Sequence, residues 1–513
     1  MKPFHRMLTA TLLAIAAATP AYAAKDVVFA VASTFTTTDP YDANDTLSQA
    51  MAKSFYEGLY GFDKDMKMVP VLAESYEASK DGLVYTVKLR KGVKFHDGTD
   101  FKADAVKVNL DRVTNPDNKL KRYGLYNDNI AKTEVVDDYT VRFTLKTAFS
   151  PFIAQLAHPS TVMISPAALK QWGNKDIAFH PVGTGPFKFV EWKATDYLKV
   201  AKFDGYWRQG YPKVDTITWK PVIDSNSRAA VMQTGEAHFT YPVPYELAEV
   251  LKAKPGLELV AAPSIIVRYL SMNTQQKPFD NAKVRQAINY AINKDAVAKV
   301  AFGGYATPAD AVVPAGVEFS IKTGLWPYDV AKAKQLMAEA GYPNGFETEL
   351  WSAYNHTIAQ KVTQVLQQQL AQIGVKVKIT LLEAGQRVEK VESWPDPATA
   401  PVRLYYVGWS ASTGEADWAL RPLLGSESFP PRLFNTAYYK SDKVDNDIKG
   451  ALLTTDHAAK AKFYRDAQET IFQDAPWAPL VIEKLLSAKN KKLSGVYTMP
   501  DGSFNFTDID LKP

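Results

Sequence analysis

The first part of the chain alternates short apolar runs with polar turns. Residues 27–32 read Val-Val-Phe-Ala-Val-Ala, a continuous apolar run of the length expected for a buried strand. Residues 85–89 alternate in character, which is typical of a strand with one buried face. Residues 103–113 follow the turn at Gly98 and carry apolar side chains at helical spacing. The pattern predicts interleaved strands and helices.

The second half contains the clearest helix–strand unit. Apolar residues of 358–373 recur at helical spacing, and Gly374 stands where the glycine after a helix is expected. Residues 375–379 then alternate with lysine as a strand, and residues 403–408 predict another strand. Residues 329–337 predict a further helix. This order favours a mixed α/β fold.

The N-terminus predicts secretion. Lys2 and Arg6 precede an apolar stretch, and Ala21-Tyr22-Ala23 follows as a cleavage site. The stretch of about 11 residues is shorter than the roughly 20 that span a bilayer. We therefore predict that residues 1–23 are a signal peptide and that the mature protein lies in a Gram-negative periplasm.

Composition excludes several classes of function. The 513 residues include no cysteine, so we expect no disulfide, no thiolate nucleophile and no lipid anchor on cysteine. The formal net charge is +5, and it falls by two when Lys2 and Arg6 leave with the signal peptide. Without a dense basic run, nucleic-acid binding has no support. The length predicts two or three domains.

Three patterns resemble chemical motifs but have simpler structural explanations. His96 stands beside Asp97, yet adjacent residues rarely face each other, and Asp97-Gly98 is a turn signal. Residues 183–186 lack the lysine of a phosphate-binding loop and predict a tight bend between domains. The seven histidines show no metal-ligand spacing. We expect no catalytic residue, no metal site and no cofactor.

Many segments resemble those of the bacterial extracellular solute-binding proteins, family 5, which includes peptide-, nickel- and glutathione-binding proteins of ABC importers. The hallmark is residues 70–98, which end in Val-Lys-Phe-His-Asp-Gly. Seven further segments follow in the family's order: Ile164–Pro166, Val182–Pro186, Phe203–Trp207, Gln233–Glu236, Tyr269–Asn273, Pro278–Asp280 and Val284–Ala287. The resemblance covers essentially the whole mature chain.

The resemblance implies a two-lobed, periplasmic-binding-protein-like α/β architecture with an extra subdomain and a ligand buried between the lobes. Lobe I is expected from residues 24–66, 188–268 and 488–513, the extra subdomain from 67–187, and lobe II from 269–487. The lobes would close around the ligand without catalysis, and permease subunits of an ABC importer would read the closed form. We expect a monomer with no membrane anchor.

Three segments are similar to the glutathione-binding members of the family in particular: 41–48, 405–420 and 433–437. In peptide-binding members, an Asp in the loop after the 403–408 strand pairs with the α-ammonium of the ligand, and Ser412 holds that position here. This departure argues against peptides held by their N-terminus. It favours a ligand whose amine lies beside a free carboxylate, as in glutathione.

The loop of residues 409–418 is the expected binding site. Its side chains combine indole rings, hydroxyls and carboxylates, as a cleft that orients a small ligand requires: Trp409, Ser410, Ser412, Thr413, Glu415, Asp417 and Trp418. Asp417 or Glu415 would accept the ammonium group. Asp417 has an alternative role as the cap of a helix that begins at Trp418.

The two carboxylates of glutathione require cations, and the arginine fork suits a carboxylate. The candidates are Arg122, Arg268 and Arg387. Arg268 lies in an apolar strand pattern, where a structural ion pair is the alternative. Arg122 lies in a polar stretch and could be solvated, while Arg387 would begin a helix. The resemblance places Thr36 and Thr37 at positions that face the cleft.

Two other functions stay open. The same fold could bind another short peptide, an opine or a metal complex. A periplasmic hydrolase would need a nucleophile–base pair or a metal cluster, and the sequence shows neither.

Overall fold

The computed structural model describes residues 24–43 and 45–512, so the predicted signal peptide, residues 1–23, lies outside them. Strands and helices interleave along this part of the chain, and the predicted α/β class is confirmed. No helix in the two described ranges has both the length and the apolar composition that crossing a bilayer requires.

The first sheet has seven strands, and its centre is the apolar run predicted from residues 27–32. The strand Asp26–Val31 pairs in parallel with a strand on each side, and its apolar run is buried because it lies inside the sheet. In order across the sheet, the strands are Leu257–Ala262, Leu485–Asn490, Phe239–Tyr241, Asp26–Val31, Thr216–Pro221, Tyr197–Lys202 and Phe187–Lys193.

The second sheet has six strands and carries the predicted binding segment. The strand Leu404–Ser410, here called the site strand, runs antiparallel to Ile266–Met272 and parallel to Phe346–Ser352. In order, the strands are Ala306–Pro308, Trp477–Glu483, Ile266–Met272, Leu404–Ser410, Phe346–Ser352 and Val375–Leu381.

A third sheet and three short pairs complete the strands. The four-stranded sheet has the order Ala73–Ala78, Val84–Leu89, Thr140–Leu145 and Ile130–Asp137. The pairs are Tyr60–Phe62 with Met68–Pro70, Leu493–Ser494 with Asp510–Leu511, and Tyr497–Thr498 with Phe504–Asn505.

The helices cover the faces of these sheets. Those of eight residues or more are Ala103–Thr114, Pro166–Asp176, Ser225–Thr234, Ala282–Ala291, Lys294–Phe302, Val330–Glu339, Thr357–Ala371, Asp417–Leu424, Asp442–Leu453 and His457–Asp474. Shorter helices are Thr46–Ala52, Tyr123–Asn127, Phe152–Leu156, Ala248–Lys252 and Ala384–Arg387.

The helix–strand unit predicted near residue 374 has a simple physical basis. Ala359, Val362, Leu366 and Leu370 form the buried stripe of the helix Thr357–Ala371, which packs on the strand that follows it. Gly374 adopts a φ of +80°, in the left-handed region that glycine enters without a steric cost. The helix ends at Ala371 with Gln372 as its C-cap, two residues before the predicted end at residue 373, and Gly374 turns the chain into the next strand.

The chain passes between the two large sheets at two places that lie side by side. One passage joins Leu257–Ala262 to Ile266–Met272, and the other joins Trp477–Glu483 to Leu485–Asn490. Ser264 Oγ donates a hydrogen bond of 2.5 Å to the carbonyl of Glu483, which ties the passages together. Two short, adjacent connections of this kind suit a hinge.

The lobe boundaries stay a prediction, and two of them fall inside strands. The boundary at 268/269 cuts the strand Ile266–Met272, and the boundary at 487/488 cuts Leu485–Asn490. The two passages lie a few residues N-terminal to these positions.

The bend at residues 183–186 requires glycine for space. A Cβ atom at Gly183 would lie 2.0 Å from the carbonyl oxygen of Phe55, which no side chain tolerates. His96 donates its backbone N–H to the carbonyl of Gly183 and places its ring Nε2 2.9 Å from the carbonyl of Gly185. His96 is thus part of the packing around this bend.

Candidate functional site

A cavity of about 410 Å³ lies between the six-stranded sheet and the helix Thr46–Ala52. One wall comes from the helix Thr46–Ala52, residues 158–159 and residues 501–503; the other comes from the site strand and its surroundings. The side chains that line it are Thr46, Gln49, Arg122, His158, Pro159, Tyr269, Tyr354, Arg387, Glu392, Tyr405, Val407, Trp409, Ser410, Ser412, Trp418, Leu423, Phe434, Thr436, Asp501 and Ser503, with the backbone of Gly408.

The site strand delivers the aromatic wall. It extends through Ser410, so Trp409 and Ser410 lie on the strand itself and not in the loop predicted after Gly408. Trp409 donates its Nε1 hydrogen to the carbonyl of Trp418 at 2.7 Å, and its ring centroid lies 5.3 Å from that of Phe434. The indole is thereby fixed in one orientation beside the cavity.

Six of the predicted residues line this cavity: Trp409, Ser410, Ser412, Trp418, Arg122 and Arg387. Ser410 lines the cavity with a buried hydroxyl that has no hydrogen-bond partner among the described residues, and the Tyr405 hydroxyl is in the same condition. A buried polar group without a partner is costly. Both hydroxyls are suited to bonding a polar ligand.

Glu415 does not line this cavity, because a buried lysine holds it in the protein interior. Its Oε1 lies 2.7 Å from Lys460 Nζ, and Tyr464 donates to the same oxygen at 3.3 Å. Burial raises the pKa of Glu415 to about 7, and Lys460 opposes this shift. The predicted role of Glu415 as ammonium acceptor is corrected to that of a structural ion pair.

Asp417 is likewise engaged within the protein. Both its oxygens accept hydrogen bonds of 2.8 Å from Arg421, one turn later in the helix. The helix Asp417–Leu424 begins at Asp417 with Ala416 as its N-cap, so the capping alternative is also wrong. Thr413 and Asp417 border a smaller neighbouring cavity of about 220 Å³ instead.

Arg122 is a cation available to a ligand in the main cavity. Its Nε donates to the carbonyl of Ala43 at 3.1 Å, and no carboxylate among the described residues lies within salt-bridge distance. Burial lowers the pKa of the Arg122 guanidinium, because the charged form loses hydration. The polar stretch 119–123 thus holds a half-buried arginine and not a solvated one.

Arg387 also lines the cavity, next to a carboxylate. Its Nε lies 3.0 Å from Glu392 Oε1, and Glu392 shares the cavity wall. Burial raises the pKa of Glu392. Arg387 ends the short helix Ala384–Arg387, where the sequence predicted that it would begin one.

Arg268 lies outside the main cavity, in the ion pair that was its alternative. Its Nη2 is 2.9 Å from Glu483 Oε1, and its guanidinium lies over the ring of Tyr354 at 5.0 Å. A Cβ atom at Gly408 would lie 2.4 Å from Arg268 Nη1, so the guanidinium packs directly under the site strand. Arg268 supports the wall and borders a separate cavity of about 810 Å³.

Thr36 and Thr37 do not line the cavity either, because neighbouring side chains bind their polar groups. Thr36 Oγ1 donates to Asp45 at 2.6 Å, and its backbone N–H donates to Ser48 Oγ at 2.9 Å. Thr37 is buried, and its hydroxyl accepts the N–H of Asp39 at 3.0 Å. The two threonines shape the turn before the helix Thr46–Ala52.

Asp501 is the carboxylate that sequence reasoning missed. It is 6% exposed and lines the cavity, and its Oδ1 accepts hydrogen bonds from the backbone and hydroxyl of Ser503 at 2.9 and 2.6 Å. No lysine, arginine or histidine of the described ranges pairs with it. The Asp501-Gly502 pair predicts a turn, but nothing in the sequence brings it to Trp409.

Other missed residues form the walls: His158, Tyr354, Glu392, Tyr405 and Phe434. They come from distant parts of the chain and share no local pattern. The complete cavity offers two arginines, one unpaired carboxylate, free hydroxyls and aromatic rings. Such a set can bind a small zwitterionic molecule with more than one carboxylate.

Known proteins align with nearly the whole of this chain. The profile of the bacterial extracellular solute-binding proteins, family 5 Middle, matches residues 67–430. The chain is 62% identical over 505 residues to the glutathione-binding protein GsiB of Pectobacterium atrosepticum, covering 98% of each. It is 60% identical over 492 residues to the protein of the same name from Escherichia coli O157:H7, covering 96% of each.

Solved structures share the fold. The periplasmic binding protein DppA of Helicobacter pylori, in complex with the peptide STSA, has a TM-score of 0.81 at 30% identity and covers 95% of this chain and 98% of its own. The binding protein AgaA of A. tumefaciens R10, in complex with agropinic acid, has a TM-score of 0.80 at 28% identity, with 95% and 99% covered.

Proposed function

The chain belongs to the bacterial extracellular solute-binding proteins, family 5, and from this premise we propose that it captures glutathione and delivers it to an ABC importer. The observation that carries the proposal is the charge pattern of the main cavity. Arg122 lines it as a cation without a carboxylate partner among the described residues, Arg387 lines it beside Glu392, and Asp501 lines it as an unpaired carboxylate of the described chain.

Glutathione has the complementary charges. It carries two carboxylates and one ammonium group, and the γ-linkage leaves the ammonium beside a free carboxylate. Arg122 and Arg387 would each take a carboxylate, and Asp501 would take the ammonium. The Ser410 and Tyr405 hydroxyls would bond the amide groups. Relatives about 60% identical over the full length bear the name glutathione-binding protein.

Ser412 supports the same ligand. It lines the cavity with a hydroxyl at the position where peptide-binding members of the family carry an Asp. Because Ser412 is neutral, the ammonium group of an α-linked peptide would find no carboxylate beside the end of the site strand. Asp501 offers a negative charge on the opposite wall of the cavity. The ammonium group of the ligand would therefore lie beside Asp501 and not beside Ser412.

Capture would proceed by closure of the two lobes about the paired passages at Ser264 and Glu483. Because the cavity walls come from both sides of these passages, closure brings Asp501 and Arg122 against the site strand. The buried ligand would add contacts to both lobes and thereby favour the closed form. Permease subunits would recognise that form, and no bond in the ligand changes.

The proposed location of the protein also rests on its membership of this family. Proteins of this family are extracellular solute-binding proteins of the periplasm. We propose that cleavage after Ala23 releases this chain there as a monomer. Mass spectrometry of the N-terminus and light scattering of the purified protein test these two points.

The decisive experiment is calorimetric titration of the mature protein with reduced glutathione, oxidised glutathione, a dipeptide and a tripeptide. Micromolar or tighter binding of glutathione alone is the expected result. Heat from the dipeptide or the tripeptide, with none from either form of glutathione, would show that glutathione is not the ligand and would leave the family assignment unchanged.

A further inference from the structure

A second chamber of about 340 Å³ adjoins the main cavity. His158 and Pro159 line both spaces, so they form a shared wall. Lys53 lines the second chamber, and its Nζ donates at 2.7 Å to Ser503 Oγ, which lines the main cavity. One layer of side chains therefore separates the two.

Seven aromatic rings line the second chamber: Tyr56, Tyr60, Phe62, Tyr206, Trp207, Phe504 and Phe506. Rings of this kind offer large, rigid contact area to a flat apolar group. The main cavity, by contrast, concentrates the charged groups, including Arg122, Arg387 and Asp501. The two spaces suit different parts of one molecule.

Most polar groups around the second chamber are already engaged, and the hydroxyls of Tyr56 and Tyr60 are the exceptions among the described residues. Glu57 accepts hydrogen bonds from Thr184, Tyr206 and Trp207 at 2.9, 2.7 and 2.9 Å. Arg208 pairs with Asp508 at 3.0 Å. These contacts engage Glu57 and Arg208, while Lys53, the third charged group of the lining, donates to Ser503 Oγ at 2.7 Å.

Two buried hydroxyls of the second chamber have no partner among the described residues, those of Tyr56 and Tyr60, and Tyr60 is the one tested below. Tyr60 is 4% exposed and lines the second chamber, and its Oη has no hydrogen-bond partner among the described residues. A buried hydroxyl in this condition gains free energy when an acceptor reaches it. An occupant of the chamber with one acceptor atom would supply this bond.

We propose that the second chamber receives an apolar or aromatic group carried on the sulfur of glutathione, so that the protein also binds thioether derivatives of glutathione. This inference rests on the proposed function. When Arg122, Arg387 and Asp501 hold the charged ends, the uncharged branch left is the cysteine side chain. The sulfur substituent then enters between His158 and Ser503, where the wall is one side chain thick.

The test compares four ligands by calorimetry on the mature protein: reduced glutathione, S-methylglutathione, S-benzylglutathione and S-(4-nitrobenzyl)glutathione. The benzyl derivative is expected to bind about tenfold or more tightly than the methyl derivative, because the ring leaves water for an aromatic chamber. The nitro group is expected to add a further few-fold through Tyr60.

Two variants locate the substituent. Val162 is 6% exposed and lines the second chamber. Val162→Phe is expected to fill the chamber and so to remove the benzyl advantage, while glutathione binds as before. Tyr60→Phe keeps the chamber open and is expected to remove only the added effect of the nitro group. Thermal unfolding establishes that each variant is folded.

The outcomes separate this inference from the proposed function. If glutathione binds but the benzyl derivative binds no better than the methyl derivative, the second-chamber inference is wrong and the proposed function stands. A benzyl advantage that survives Val162→Phe places the ring elsewhere and also overturns the inference. If none of the four ligands binds, the proposed function fails and takes the inference with it.

Discussion

Arg268 and Glu483 form a bidentate ion pair at the point where the chain passes between the two large sheets. Arg268 Nη2 lies 2.9 Å from Glu483 Oε1, and Nε lies 3.3 Å from Oε2. Glu483 also accepts the Ser264 hydroxyl through its backbone carbonyl. The pair therefore connects the wall of the binding cavity to the passages about which the lobes would move.

Breaking this pair is expected to cost stability. Arg268→Met leaves Glu483 as a charge that is only 12% exposed at its side chain, so the free energy of unfolding should fall by about 3 kcal/mol. Denaturant unfolding measures the change. The double variant Arg268→Met with Glu483→Leu should regain most of the loss, because no charge stays buried alone. Equal loss in both variants would contradict a simple ion-pair role.

Arg122 is expected to hold a ligand carboxylate. Arg122→Ala should weaken glutathione binding by roughly tenfold to a hundredfold, which is the effect of losing a hydrogen bond to a charged group. The adjacent Lys121 is exposed and lies 3.9 Å from Asp42, so Lys121→Ala serves as the matched control and should leave Kd unchanged. Similar losses in both variants would indicate long-range attraction in place of contact.

Asp501 is expected to hold the ligand ammonium. Asp501→Asn keeps the shape of the side chain and its contacts with Ser503, yet should weaken glutathione binding about tenfold or more. N-acetylglutathione lacks the ammonium, so the wild-type protein and the variant should bind it equally weakly. If Asp501→Asn also weakens the acetylated ligand, Asp501 acts on the structure of the site and not on the ammonium.

Ser412 is expected to set the choice between glutathione and ordinary peptides. Ser412→Asp adds a carboxylate to the cavity beside the site strand, so α-linked peptides should bind more tightly and glutathione less tightly. Ser412→Asn is the uncharged control of the same size. A calorimetric panel of both ligand types measures the change, and no gain for any peptide would argue against this placement of the ammonium.

Glu415 is expected to make stability depend on pH. Burial raises its pKa to about 7 in the folded chain, above the value near 4.3 of an unfolded glutamate. The folded state therefore holds the proton more tightly. The resulting stabilisation is full below the unfolded pKa and is lost as pH rises through about 7.

Glu415→Gln tests this dependence because it cannot release a proton. The free energy of unfolding, measured by denaturant titration at several pH values, should decline less steeply for the variant between the two pKa values. Glu74→Gln, at an exposed carboxylate of the strand Ala73–Ala78, is the control and should keep the wild-type slope. Identical slopes in all three proteins would remove Glu415 as the cause.

The sequence determined the elements whose pattern is local. The strand Asp26–Val31 and the helix Thr357–Ala371 follow from the apolar positions at 27–32 and 358–373, since each element must bury one face or stripe. Family segments in the expected order predicted the fold class. The family profile and a relative that is 62% identical over 505 residues confirm the family. The aromatic wall at Trp409 and Trp418 was also visible in the sequence.

Only the tertiary structure decided which charges face the cavity. Glu415, Asp417 and Arg268 were candidates by their types and positions, but Lys460, Arg421 and Glu483 pair with them. Asp501 reaches the cavity from the far end of the chain. A periodic pattern reports that a residue is buried, whereas its partner depends on how distant strands cross and pack, which no local spacing records.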